Sequence, residues 1–167
     1  MLKILCFIAL SAKIAAAHSV PANLLNHDVN QRTLSETVCL SGYTKAVRPS
    51  TTYTNRIKMR LLSERKLDYE AEKSNYELDH IIPLALGGHP RNPSNLALQL
   101  WDGHDGAKRK DRIEVKLQCL VCSGEVSLAV AQDAIWTDWK AAYSSYGKMV
   151  CNRVRGMRSS DYGDETQ

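Results

Sequence analysis

The chain has 167 residues, 44% of them hydrophobic and 24% charged, which is the composition of a folded globular protein and not of a disordered one. That length suits one domain. With 22 Lys and Arg against 18 Asp and Glu the net charge is +4, too small to mark a chain that coats nucleic acid by charge alone. Aromatic content of 7%, with a single Phe, excludes a broad stacking platform.

Residues 1–17 read as a secretory signal. Lys3 supplies a positive start, an apolar run follows from Ile4, and Ala15-Ala16-Ala17 offers a small-residue cleavage site before His18. The apolar run is far shorter than the roughly 20 residues a membrane span needs, so no membrane association is expected once the signal is removed. Loss of Lys3 and Lys13 leaves 20 bases against 18 acids, a net charge of +2. Secretion or a periplasmic location follows, and with it a use for the four remaining cysteines. Cys39, Cys119, Cys122 and Cys151 are an even set in an exported chain, which reads as two disulfides. Cys119 and Cys122 lie three apart near a helix end and can each reach a different partner; Cys39–Cys122 with Cys119–Cys151 is the favoured pairing, although spacing leaves the connectivity open. A structural zinc site built from the same four thiolates is the rival reading.

Residues 18–36 are polar and aperiodic and are expected to form a flexible lead-in. Gly42, Pro49 and several Ser and Thr suggest extended or looped backbone over residues 38–53. Ile57, Leu61 and Leu62 recur at helical spacing and predict a helix over 54–67. The Ile81-Ile82 pair favours a strand over 76–82, ended by Pro83. Gly87-Gly88 marks a turn, and residues 95–100 a returning strand. Ile113, Leu117, Leu120 and Val121 form the stripe of a helix over 105–121. Ser127 can cap a second helix reaching Tyr146, with Ala131, Ala134, Ile135, Trp139, Ala142 and Tyr143 on its buried side. Residues 148–167 read as a largely mobile tail apart from Cys151. The fold class is α+β.

The chemistry-bearing segment is strand, Gly-rich loop, strand, helix, with Asp79-His80 at the end of the first strand. An aspartate offers a hard oxygen to a divalent cation, and an imidazole, ordinarily titrating near a pKa of about 6.5, can take a proton from water near neutral pH. The run Asp79-His80-Ile81-Ile82-Pro83, the Gly-Gly turn and Asn95-Leu96 resemble the HNH family of ββα-metal nucleases over about residues 76–120. Cys39, Gly42-Tyr43-Thr44, Lys110-Asp111-Arg112-Ile113-Glu114, Ala131-Gln132 and Asp138-Trp139 extend the likeness to small exported bacterial HNH-type proteins, making residues 37–147 one domain.

The resemblance implies a ββα-metal core with flanking helices and stabilising disulfides. His80 would be the general base, Asn95 the brace that orients it, and Asp79 the main ligand of one divalent ion, Mg²⁺ or Mn²⁺, with Ni²⁺ or Zn²⁺ as alternatives. His104 is the first choice for the remaining ligand and Asp105 the second; alignment on Lys110-Asp111 instead puts that position at Gly106 or Lys108, which suit a metal poorly. Lys108, Arg109 and Arg112 would hold substrate phosphates near the helix start, while the other charges of this helix, Lys110, Asp111 and Glu114 among them, read as a solvated face. His89 reads as an exposed loop residue and Glu77 as a partner for a lysine. The implied activity is hydrolysis of phosphodiester bonds in DNA, or RNA, with little sequence specificity, by a monomer for which a protein inhibitor is compatible but not indicated. The alternative is an inactive scaffold of the same shape that binds nucleic acid or an envelope protein.

Overall fold

The structure, a computed structural model, describes residues 20–151. The expected signal over 1–17 and the tail beyond 151 lie outside the described residues. Within them the chain is mixed α+β: helices α1 (Tyr43–Val47), α2 (Thr51–Glu64), α3 (Tyr69–Glu72), α4 (Ala107–Cys122) and α5 (Leu128–Tyr146), and strands β1 (Tyr76–His80) and β2 (Leu96–Leu100). No described helix is long and apolar enough to cross a membrane.

The two strands pair antiparallel, with Tyr76 opposite Leu100 and His80 opposite Leu96. Because side chains alternate along a strand and opposed residues share a face, Leu78, His80, Leu96 and Leu98 line one side, and Glu77, Asp79, Ala97 and Gln99 the other. Helix α2 packs against both strands, and Ile57, Leu62, Leu96 and Leu98 are buried. The larger apolar cluster joins Ile113, Leu117 and Leu120 of α4 to Ala131, Ile135 and Ala142 of α5, with Ile82, Leu86, Val38, Val29 and Leu24 filling it. Helix α4 thus buries the stripe that its periodicity predicts, and of the side predicted for α5, Ala131, Ile135 and Ala142 are buried while Ala134, Trp139 and Tyr143 are partly so.

Side-chain caps set several helix starts. The Ser127 hydroxyl accepts from the Val130 amide at 3.3 Å, and the Asp68 carboxylate accepts from the Ala71 amide at 2.9 Å. Ser50 caps α2 through Tyr53 N, which starts that helix three residues before the periodicity alone suggests. Residues 38–53 are therefore not an extended segment, since α1 and the first turn of α2 lie in them.

The lead-in is the larger correction. Residues 20–36 are docked: Leu24 and Val29 are buried, and Leu25 forms an isolated antiparallel bridge to Gly88. Asn26 N donates to Gly87 O at 2.9 Å and His89 N to Leu24 O at 2.7 Å, while Asn92 Nδ2 donates to Asn23 O at 2.6 Å. Hydrophobic counts in a polar stretch miss this, because the affinity is carried by main-chain groups that need partners whatever their side chains.

Two disulfides are present, Cys39–Cys122 and Cys119–Cys151, with Cα separations of 5.5 and 6.1 Å. This is the favoured pairing, and it excludes a four-thiolate zinc site. Both bonds grip the last turn of α4 and hold that helix to the segments before α1 and after α5.

Candidate functional site

The site lies where β1 ends and the chain turns through Ile81–Asn95 into β2. Pro83 leads a short 3-10 turn, Leu84–Leu86, and Gly87 follows at φ 78°, a left-handed conformation that glycine adopts without strain. Gly88 packs against the Ile82 carbonyl and the Asn95 amide, where a Cβ would collide with both. The Gly-Gly pair thus lets the loop fold back onto the end of β1. Gln132 of α5 supports it from below, its Nε2 donating to Leu86 O at 2.8 Å.

Asn95, 0% exposed, ties this loop together. Its Oδ1 accepts from Ile82 N at 2.8 Å, and its Nδ2 donates to Ile82 O at 3.0 Å and to His89 O at 3.1 Å. Its own carbonyl accepts from Ile81 N at 2.8 Å. One side chain therefore satisfies buried main-chain groups on both sides of the turn. Asn95→Ala removes three hydrogen bonds and leaves buried groups without partners, so a loss of about 2–4 kcal/mol is expected in urea unfolding. A loss below about 1 kcal/mol would show that water replaces the amide.

His80 is 3% exposed, and its Nε2 lies 3.1 Å from Pro90 O. A carbonyl oxygen can only accept, so this contact puts the proton of the neutral ring on Nε2 and leaves Nδ1 with the lone pair. Loop residues around Pro90 are themselves held: His89 Nδ1 accepts from the Arg91 and Asn92 amides at 3.1 and 3.0 Å, and the Tyr53 hydroxyl donates to Arg91 O at 2.5 Å. His89 is half-buried and serves as this turn's internal acceptor, so it is no exposed loop residue.

Asp79 meets a different partner from the one expected. Its Oδ2 accepts from Lys110 Nζ at 2.7 Å, and the same ammonium bonds His80 O at 2.8 Å and the Glu114 carboxylate. Lys110, Asp111 and Glu114 are buried, so this side of α4 is not a solvated face. Burial alone would lower the Lys110 pKa, but the Asp79 and Glu114 carboxylates outweigh it and the net shift is upward. The ammonium stays charged across the range in which proteins are handled. A signal for this was present: Lys110 and Glu114 lie at helical spacing from Ile113 and Leu117, on the stripe that faces inward.

His104 is not brought to Asp79 or His80. It lines a groove of about 510 Å³ with Arg65, Tyr76 and Leu100, at the end of the strand pair opposite His80. Its side chain is 76% exposed, and Nδ1 bonds Asp105 at 2.8 Å. Asp105 in turn pairs with Lys140 at 3.3 Å; its carboxyl sits below the usual range, chiefly through the His104 hydrogen bond. Among the described residues no three His, Cys, Asp or Glu side chains converge as a metal site. The donor set that the resemblance implies for a divalent ion is therefore not assembled, and Asp79 is engaged by an ammonium instead.

The basic residues are also partly committed. Lys108 pairs with Asp102 at 2.7 Å. Arg109 lies over the Tyr143 ring, 4.8 Å from its centre, and bonds His104 O at 3.3 Å. Arg112 is exposed. The amides of Lys108, Arg109 and Lys110 donate to the Trp101 and Gly106 carbonyls, so the start of α4 does not offer them to a phosphate. Glu77 is buried and near enough to Lys58 to favour that ammonium's charge against desolvation.

No family model, curated protein or solved structure matches this chain. Its chemistry has to be read from the residues themselves.

Proposed function

We propose that this chain is an exported endonuclease of the HNH kind, hydrolysing phosphodiester bonds of DNA with little sequence preference. The observation that carries the reading is the His80–Pro90 contact, which engages Nε2 with a carbonyl and leaves Nδ1 as the ring nitrogen able to accept a proton at the end of a strand. Asn95 supports it by holding the loop that carries Pro90. The order β1, braced loop, β2, α4 agrees with the ββα arrangement of that family. In the proposed reaction His80 Nδ1 takes a proton from water, the water oxygen bonds to phosphorus, and the bond to the 3′ oxygen breaks. The leaving oxygen is protonated by solvent, and the product carries a 5′ phosphate. Positioned proton transfer of this kind is worth about 10²–10⁴-fold. Arg112, exposed, and Lys108 and Arg109 beside it would hold the phosphates on either side, which gives affinity without reading bases. The protein would act as a monomer beyond the inner membrane. The two disulfides fit that location.

The test is nicking of a supercoiled plasmid by the purified protein in Mg²⁺, Mn²⁺, Ni²⁺, Zn²⁺ and EDTA. Conversion to open circles that scales with protein and is lost in a His80→Gln variant is expected; the EDTA arm reads metal dependence separately. A second reading, a scaffold that binds nucleic acid without cutting it, is favoured by the 3% exposure of His80 and the commitment of Asp79 to Lys110. Binding of a fluorescent duplex with no cleavage in any metal would select it.

A further inference from the structure

An ammonium group carries three N–H donors, and all three of Lys110 Nζ are used. They go to Asp79 Oδ2 at 2.7 Å, to His80 O at 2.8 Å, and to Glu114 Oε1. Two carboxylate oxygens and a main-chain carbonyl are the hard donors that a divalent cation such as Mg²⁺, Mn²⁺ or Ca²⁺ takes. The cage is closed, with Lys110 4% and Asp79 3% exposed. The remaining Asp79 oxygen, Oδ1, is buried without a hydrogen-bond partner.

We propose that the Lys110 ammonium is the resident cation of this site, standing where a divalent ion would sit, and that Asp79 is therefore not a metal ligand in this chain. The inference rests on the nuclease reading only in taking Asp79 as the residue that would hold a metal. A divalent ion entering the cage would have to displace a tethered charge of the same sign and shed its own water. The ammonium is already in place and bears neither cost. Lys110 is thereby a positioning residue: it bonds the His80 carbonyl directly and fixes the end of β1 against α4, its single positive charge shared between two carboxylates.

The test is binding of Mn²⁺ alone to the purified protein, read from the loss of the free-ion electron paramagnetic resonance signal, for wild type, Asp79→Asn and Lys110→Ser. Wild type and Asp79→Asn are expected to titrate within about twofold of each other, because Asp79 holds no ion in either. Lys110→Ser opens the cage and is expected to bind Mn²⁺ at least about tenfold more tightly than wild type, with a rise in its melting temperature on adding Mn²⁺ that wild type does not show. A tenfold weakening of wild-type Mn²⁺ binding by Asp79→Asn would overturn the proposal, as would a folded Lys110→Ser protein, checked by circular dichroism, that gains no affinity. Should Lys110→Ser fail to fold with and without Mn²⁺, the Asp79→Asn comparison decides alone. None of these readouts depends on cleavage, so a protein that cuts nothing leaves the inference standing, and an active enzyme can still refute it.

Discussion

Replacing His80 by glutamine is expected to lower plasmid nicking by about 10²–10⁴-fold while leaving the fold in place. Glutamine is the informative substitution because His80 has two jobs. Its Nε2 donates to Pro90 O, and an amide Nε2 of similar reach can do the same. Its Nδ1 is the proposed base, for which an amide has no equivalent. Alanine would remove both, leaving the Pro90 carbonyl without its donor and a cavity at a position 3% exposed, a cost of about 1–3 kcal/mol that would mix lost stability with lost chemistry. Nicking rates and urea midpoints of the two variants separate the terms. If the glutamine variant keeps more than about a tenth of the wild-type rate, His80 is not the base, and the cutting belongs to another group or to a contaminating nuclease.

Reduction of the disulfides is expected to produce the largest change in stability. Cys39–Cys122 joins residues 83 apart and Cys119–Cys151 residues 32 apart. Each should contribute about 2–4 kcal/mol by restricting the unfolded chain. The logarithmic dependence on loop length makes the first bond worth about 0.8 kcal/mol more than the second. Double substitution of each pair by alanine, followed by urea unfolding, measures both. With a urea slope of about 2 kcal/mol per molar, the middle of the usual range, losing either bond should move the midpoint by roughly 1–2 M. Thiol titration of the denatured, unreduced protein should find none of the four cysteines free. An unchanged midpoint after reduction, with four thiols then titrating, would mean that helix packing alone holds α4. The consequence reaches the site: α4 carries Lys110 and Glu114, and both bonds grip its C-terminal turn.

The elements and their order were legible in the sequence because their causes are local. The 3.6-residue recurrence of Ile113, Leu117 and Leu120 marks α4, all three being fully buried. Ser127 sets the start of α5 within one turn, and Gly87-Gly88 and Asn95 carry the loop through contacts inside fifteen residues. The Asn95 brace was an expectation of the family resemblance, and the hydrogen bonds of its side chain to Ile82 and His89 show what it braces. What escaped was decided by groups distant in the chain. Lys110 meets Asp79 across 31 residues, and Asn92 meets Asn23 across 69. Helical spacing marked Lys110 as inward-facing, but nothing periodic pointed to Asp79 as its partner on a strand, and the second contact uses a main-chain carbonyl.

The sequence by itself therefore determined the α+β class, the strand–loop–strand–helix segment, the His80 and Asn95 positions and the presence of two disulfides. The tertiary structure alone decided which cysteines pair, which nitrogen of His80 faces the Pro90 carbonyl, and that His104 lies at the far end of the strand pair. It also decided that the charge facing Asp79 is a lysine from its own chain. Local patterns fix dihedral angles and faces, but the partner of a buried charge depends on how strands and helices return past one another. Burial then makes that partner hard to exchange, because each charge in the cage would be left without compensation if the other were removed.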